Sequence, residues 1–208
     1  MGKITDISKQ KRNKTRVNVF IDGEFVCGLD EVAAASARLK IGDEISPEVL
    51  KSVVRRSEVN SAFERAVTYL SAVPRAKREI ERYLSDKGYD KDVVGETLDR
   101  LVAYHYIDDR LYAETYFRSA SKKYGSFRIA AELKKRGVDK EIIDELIENG
   151  GEDEIYSVAC KYISSHRTAD RQKLKRFLAG RGFSWDSISA AVSRLDDEGY
   201  FSDEEDFS

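Results

Sequence analysis

Residues 132–143 read ELKKRGVDKEII, and nearly the same phrase stands at 83–94 (YLSDKGYDKDVV) and at 177–188 (FLAGRGFSWDSI). In each copy a cation (Lys87, Arg136, Arg181) precedes a glycine (Gly88, Gly137, Gly182). An apolar residue follows (Tyr89, Val138, Phe183), and then a residue with a capping side chain (Asp90, Asp139, Ser184). A glycine just past a helix takes the left-handed conformation without the cost a Cβ imposes, and a cation in the last turn faces the negative end of the helix dipole. A short oxygen-bearing side chain then satisfies the free N–H groups of the next helix. The phrase is a joint between two helices, written three times.

Apolar stripes at helical spacing surround each joint. The first copy has Ala62, Phe63, Ala66, Val67 and Leu70, then Ala76, Ile80, Tyr83 and Leu84, then Val94, Leu98, Leu101 and Val102. The second has Leu111, Tyr112, Thr115 and Tyr116, then Ile129, Ala130 and Leu133, then Ile142, Ile143, Leu146 and Ile147. The third has Ile155, Tyr156, Ala159, Cys160 and Ile163, then Leu174, Phe177 and Leu178, then Ile188, Val192 and Leu195. The fold class is therefore mainly α: three tandem three-helix, helix-turn-helix-like repeats, which bury their apolar faces on one another in an elongated array.

A small α+β module precedes them. Val17, Val19 and Ile21 alternate with polar or outward positions, Asp22-Gly23 supplies a tight turn, and Phe25-Val26-Cys27 returns, which predicts a β-hairpin. Residues 3–8 offer a third strand, a short helix is expected near 30–38, a turn at Gly42, and a further helix with Ser46 as N-cap and Pro47 at its first position. The expected divisions are 1–56 for this module, 57–107, 108–150 and 151–199 for the repeats, and 200–208 for an acidic tail. Tyr200-Phe201 follows Leu195 at the spacing of Tyr106-Ile107 after Leu101, so the tail is expected to begin as a cap on the third repeat.

The composition excludes several classes. No apolar run approaches the ~18 residues that span a bilayer, and the basic start MGKITDISKQKRNK has no apolar stretch behind it, so it is no secretory signal. Met1-Gly2 lacks the Ser or Thr that myristoylation wants at position 6, where Asp6 stands. Cys27 and Cys160, far apart among apolar residues, read as two buried thiols of a reducing compartment, and we expect a cytoplasmic monomer.

No active site is legible, and the protein is expected to be neither an enzyme nor a carrier of a cofactor or metal. The two histidines, His105 and His166, have no spaced metal partners, and there is no phosphate loop or dinucleotide fingerprint. Asp108-Asp109 sits where a helix begins, as an N-cap and first-turn acid do. Cys160 lies on a helix stripe and reads as core.

Charge is segregated although the net formal charge is only −2. Residues 1–21 hold six bases and one acid, and 196–208 hold seven acids and no base. The middle helices are basic: six bases against one acid in 122–137, and the same in 167–181. The third helices of the first two repeats carry Asp90, Asp92, Glu96 and Asp99, and Asp139, Glu141, Asp144, Glu145 and Glu148. In a helix-turn-helix reader that helix enters the major groove, and so many acids there oppose a polyanion. Backbone contact by the basic edge and by a basic N-terminal arm stays open.

Residues 60–201 resemble the RecX family, regulators of the RecA recombinase. The resemblance rests on YIDDRLYAETYFRSASKKYGSFRIAAELKKRGVDKEIIDELI (106–147), with its aromatic-Ile-Asp-Asp opening, its Gly-x-x-Arg-Ile turn from Gly125 to Ile129 and its helix-end glycine, and on REIERYLSDKGYDKDVVGETLDRL (78–101). RVNVFIDGEF and LKIGDEI look like the extended version of that family. The resemblance implies a protein that binds the RecA filament on single-stranded DNA, lies in its groove, and restrains its growth, ATP hydrolysis and strand exchange in recombination, DNA repair and the SOS response. A chain of many small contacts suits this, since it gains by avidity.

The expected partner contacts are Tyr124, Gly125 and Arg128 in the turn of the second repeat, with Lys134, Lys135, Arg171, Lys175 and Arg176 on the basic edge, facing RecA or single- or double-stranded DNA. For Tyr124 a core role, and for Gly125 a purely structural one, are the alternatives. Other expected classes are a DNA-binding repeat protein independent of RecA and a helical adaptor for another protein. The acidic terminus is expected to compete with DNA for the basic edge. Deleting residues 202–208 should then raise affinity for DNA and filament; unchanged affinity in a titration of the truncated chain refutes this.

Overall fold

The computed structural model describes residues 1–148, 153–166 and 170–201. The chain divides into two compact units, residues 1–108 and 109–208. The first holds β1 (Gly2–Lys9), β2 (Arg16–Ile21), β3 (Glu24–Asp30), α1 (Glu31–Ser36), β4 (Glu44–Ile45), α2 (Pro47–Leu70), α3 (Lys77–Asp86) and α4 (Lys91–Ala103). The second holds α5 (Asp109–Ala120), α6 (Ser126–Arg136), α7 (Lys140–Glu148), α8 (Asp153–Ser165), α9 (Arg171–Gly180) and α10 (Trp185–Asp197). The fold is mainly helical, with one small antiparallel sheet.

The sheet runs in the order β3-β2-β1-β4. Asp22 (φ 51°) and Gly23 (φ 88°) make the expected tight turn, and Val17 and Val19 point inward with Ile4, Leu29 and Ile45. Cys27 is half-buried rather than buried, and Cys160 likewise; burial pushes the Cys27 thiol up, partly offset by the neighbouring Arg16.

The expected basic arm is not an arm. Residues 2–9 are strand β1, because the alternation Lys3-Ile4-Thr5 places Ile4 in the core with no exposure. Arg16 donates to the Ser61 hydroxyl (3.0 Å) and to the Gly28 carbonyl (2.8 Å), and Lys9 pairs with Glu31.

Helix α2 begins at the expected cap, Ser46, whose hydroxyl accepts from Val49 N–H. It then runs without a break through residues 56 and 57, roughly 36 Å by the ordinary helical rise. Val53 on this helix belongs to the core of the sheet module, while Val59, Ala62 and Ala66 belong to the core of the first repeat with Ile80, Leu84, Val93, Leu98 and Leu101. One helix is thus shared by two cores. A polar chain reinforces it. Asp30 caps α1 through Val32 and Ala33 N–H and accepts from Asn60 on α2 (3.1 Å). Asn60 in turn accepts from Arg100 on α4 (2.8 Å). Asp30 is buried, and its own N–H donates to the Ser57 hydroxyl. These partners satisfy a buried carboxylate that would otherwise be costly.

The three joints have the expected geometry. Gly88, Gly137 and Gly182 lie at φ 86°, 88° and 86°. The N–H of the next residue reaches back to the middle helix in each: Tyr89 to Leu84, Val138 to Leu133 and Phe183 to Leu178. The capping expectation holds in part. Ser184 caps α10 through Ser187 N–H (3.1 Å), but the Asp90 side chain makes no capping bond to α4.

Helices α4 and α10 end in the same way. Tyr106 N–H returns to Leu101, and Tyr200 N–H to Leu195. The left-handed residue is His105 (φ 58°) in one and Gly199 (φ 76°) in the other. Phe201 is buried in the core of the third repeat with Ile155, Leu174, Leu178, Ile188 and Leu195, as Ile107 is in the first, so the chain does begin its tail as a cap. Residues 202–208 lie outside the described residues, as do Gly150 and Arg167.

One stripe is out of phase. Helix α5 turns Ala113 and Ala120 inward, and Leu111 is 61% exposed. The small side chains let the neighbouring helices approach, so the larger Leu111 is not the one drawn in.

Two substitutions follow from the backbone. A non-glycine residue in the left-handed region costs about 1 kcal/mol, so His105→Gly should raise the urea midpoint. Gly95 lies inside α4, with nothing within 4 Å of the place an added Cβ would take, and should gain about 1 kcal/mol on replacement by Ala. Equilibrium unfolding in urea checks both.

Candidate functional site

The turn between α5 and α6 and the joint between α9 and α10 meet backbone to backbone. Gly125 N–H donates to the Arg181 carbonyl (3.0 Å), and Phe127 N–H to the Gly182 carbonyl (3.1 Å). There is no room for a side chain at either glycine. A Cβ on Gly125 would collide with the Gly182 carbonyl, and one on Gly182 would lie 2.5 Å from the Arg128 Cβ. Gly182 is needed twice over, for its positive φ and for this approach.

Two arginines close over the contact. The Arg128 guanidinium lies 4.3 Å from the Tyr124 ring centre and the Arg181 guanidinium 5.5 Å from it. Arg128 donates to the Gly180 carbonyl (3.4 Å), and Arg181 to the Lys123 carbonyl (3.2 Å). Both cations are attracted by the quadrupole of that one ring. Each also bonds a carbonyl of the opposite repeat.

The structure therefore brings three of the expected contact residues together: Tyr124, Gly125 and Arg128. Tyr124 is half-buried, Gly125 buried and Arg128 exposed. The partners that sequence reasoning misses are Arg181 and Gly182, which it assigns to a helix end alone. The near-identity of the three joints is the available signal, but it carries nothing about which turn meets which.

The other five candidates lie apart from this cluster. Lys134 and Lys135 are exposed in the last turn of α6 and join no ion pair among the described residues. Lys175 is half-buried and Arg176 exposed on α9; the Arg176 Nε donates to the Gln172 carbonyl. Arg171 is engaged within the protein. It pairs with Asp196 on α10 and lies over the Phe201 ring, so its charge serves to hold the third repeat closed. Asp170, which caps α9, is kept below the usual carboxylate range by the Lys173 and Gln172 N–H groups.

The acidic helices are partly neutralised in place. Asp92 and Glu96 of α4 pair with Arg55 of α2, Asp144 with Lys140 and Glu145 with Arg110. Among the described residues no group of three or more His, Cys, Asp or Glu is placed to hold a metal ion, and no helix is long and apolar enough to cross a membrane.

Family models account for most of the sequence. The model for the regulatory protein RecX N-terminal domain matches residues 2–46, and those for the first, second and third RecX three-helix domains match 62–101, 108–147 and 152–192. The chain belongs to the RecX family. A relative from Clostridium botulinum (strain Eklund 17B / Type B), named Regulatory protein RecX, is 30% identical over 92% of this chain and 95% of its own. A second of that name, from Bacillus licheniformis, is 32% identical over 95% of this chain and 79% of its own. Among solved structures, one titled Crystal structure of regulatory protein RecX superposes with a TM-score of 0.72 at 25% identity, covering 95% of this chain and all of the other. RecX from Lactobacillus salivarius gives 0.61 at 25% identity over 67% of this chain. The four matched segments follow the strands and helices described above, so the RecX architecture extends from the sheet module through all three repeats.

The joint has a direct test. Gly125→Ala should lower stability by about 2 kcal/mol, the usual effect of forcing a methyl into closed packing. Gly180→Ala, at a position with nothing within 4 Å, should not. Urea unfolding followed by circular dichroism separates the two.

Proposed function

We propose that this protein binds the RecA filament on single-stranded DNA and restrains its extension, ATP hydrolysis and strand exchange, without catalysing a reaction itself. The observation that carries the reading is the end-to-end match to the domains of a regulatory family, N-terminal module and three repeats together. The physical arrangement supports it. Lys134 and Lys135 stay exposed on α6 with no acidic partner among the described residues, while several acids of α4 and α7 are paired internally. The surface thus offers cations to an anionic partner. Contact with DNA within the filament is part of the proposal, as is action as a cytoplasmic monomer.

The decisive measurement is ATP hydrolysis by the cognate RecA on single-stranded DNA, with this protein titrated well below one copy per RecA. A falling rate is expected, and it would mean action along or at the end of a filament. An unchanged rate on filaments verified by microscopy refutes the proposal and favours a nucleic-acid binder that acts alone. Replacing Lys134, Lys135 and Lys175 together by Gln should weaken inhibition and flatten its salt dependence. Adding Arg171→Gln should contribute little further to the salt dependence, because Asp196 already neutralises that charge.

A further inference from the structure

Within the first unit, between the sheet module and the first repeat, lies a cleft of about 530 Å³. Its walls come from the start of β2, the end of β3, the middle of α2, and Tyr83 and Tyr89 near the first joint. Asp30 lines it and is only 6% exposed. The donors that satisfy this carboxylate, Val32 N–H, Ala33 N–H and the Asn60 amide, all converge on Oδ1. Oδ2 has no partner among the described residues, and it is not sealed from solvent. Other groups of the cleft lean the same way. Thr15 donates its hydroxyl proton to the Asn13 side-chain oxygen (2.7 Å), and Thr68 donates its own to the Glu64 carbonyl (2.9 Å), so both present lone pairs. Glu64 is exposed and joins no ion pair among the described residues. The two guanidiniums of the cleft already have protein acceptors. Arg16 donates to Ser61 and to the Gly28 carbonyl. The Tyr89 hydroxyl, with that of Tyr83, holds the Arg65 guanidinium above its usual pKa.

We infer that this cleft binds an alkylammonium group, which donates to Asp30 Oδ2 and is neutralised by Asp30 and Glu64. An ammonium brings three donors and no acceptor, the complement of a wall with unmet lone pairs. A phosphate or carboxylate would leave Oδ2 unpaired and set its own charge against two acids. An apolar ligand would strip water from a charged oxygen with nothing in return. A metal ion needs more ligands, and no group of three or more His, Cys, Asp or Glu is placed to hold one among the described residues. The volume falls in the range of small-ligand sites, and two carboxylates in one cleft favour a ligand with two ammonium groups. A free polyamine and a lysine side chain of another protein share this chemistry. Asp30 caps α1 and accepts from α2, so an occupant on its second oxygen fastens the sheet module to the first repeat. The site lies within the first unit and its occupancy needs no RecA, so it stands or falls apart from the regulatory function proposed above.

The test titrates 1,4-diaminobutane into the full chain by isothermal titration calorimetry, and one site is expected. Asp30→Asn keeps an oxygen for the three donors but removes the charge, and should weaken binding at least about tenfold. Glu64→Gln lies outside the core, so it keeps the test valid where Asp30→Asn does not fold. Its circular dichroism should match the wild type while binding weakens about fivefold. Arg65→Gln removes a repelling charge and should tighten binding severalfold. Removing residues 202–208 should change nothing, which separates the cleft from the acids of the terminus. Competition identifies the source. Displacement by spermidine but not by Nα-acetyl-lysine amide marks a free polyamine, and equal displacement by the lysine derivative marks a protein side chain. The site is refuted if the wild-type chain gives no binding, if Glu64→Gln binds as the wild type does, or if Arg65→Gln or the truncation abolishes binding. Equal competition by tetramethylammonium, a cation with no N–H, also refutes it, since that is attraction to bare charge.

Discussion

Every repeat depends on a chain reversal through one left-handed residue. A helix leaves four carbonyls without partners at its end, and the next helix starts after only three or four residues. The left-handed turn solves both problems, because it directs the following N–H groups back onto the last turn. In this protein the solution recurs at Gly88, Gly137 and Gly182, and again where α4 and α10 end, at His105 and Gly199. Each return also drops an aromatic or aliphatic residue onto the helix just left. Ile107 and Phe201 reach their cores in this way. The interhelical angle, the packing of the third helix and the closure of each core all follow from that reversal.

Cations are divided between internal and external work. Arg16, Arg55, Arg100 and Arg171 bind partners within their own unit, and Arg128 and Arg181 brace the contact between the second and third repeats. The planar guanidinium, with several fixed donors, fits such roles. The lysines at 122, 123, 134, 135 and 161 remain in water. Net charge near zero therefore conceals a set of exposed lysines on the second and third repeats, while several acids of α4 and α7 are matched internally.

The helix ends are legible in the sequence because glycine, cation and cap sit within a few residues of one another. The hairpin is legible for the same reason, through alternation and Asp22-Gly23. Other features have no local signature. His105 adopts a glycine conformation without being glycine. The phase of α5 escapes the sequence because Leu111 outweighs Ala113 in any ranking by apolar size, whereas packing selects the small residue. The chain from Asp30 through Asn60 to Arg100 joins positions 30 to 40 apart in sequence, and nothing in any one segment announces it. The same holds at the candidate site. Tyr124, Gly125 and Arg128 stand out in the sequence, but their meeting with Arg181 and Gly182 is set by packing. Arg171 looks like any other base of its helix until Asp196 is found opposite.

The contact at Gly125 and Gly182 is made first by main-chain atoms, whose hydrogen bonds do not depend on side-chain identity. The backbone part of the contact asks only that these two positions stay bare, and the Arg128 and Arg181 side chains add their bonds across it. Sequence drift in this part of the molecule is thereby channelled: two positions exclude even a methyl group, and change is confined to the side chains around them.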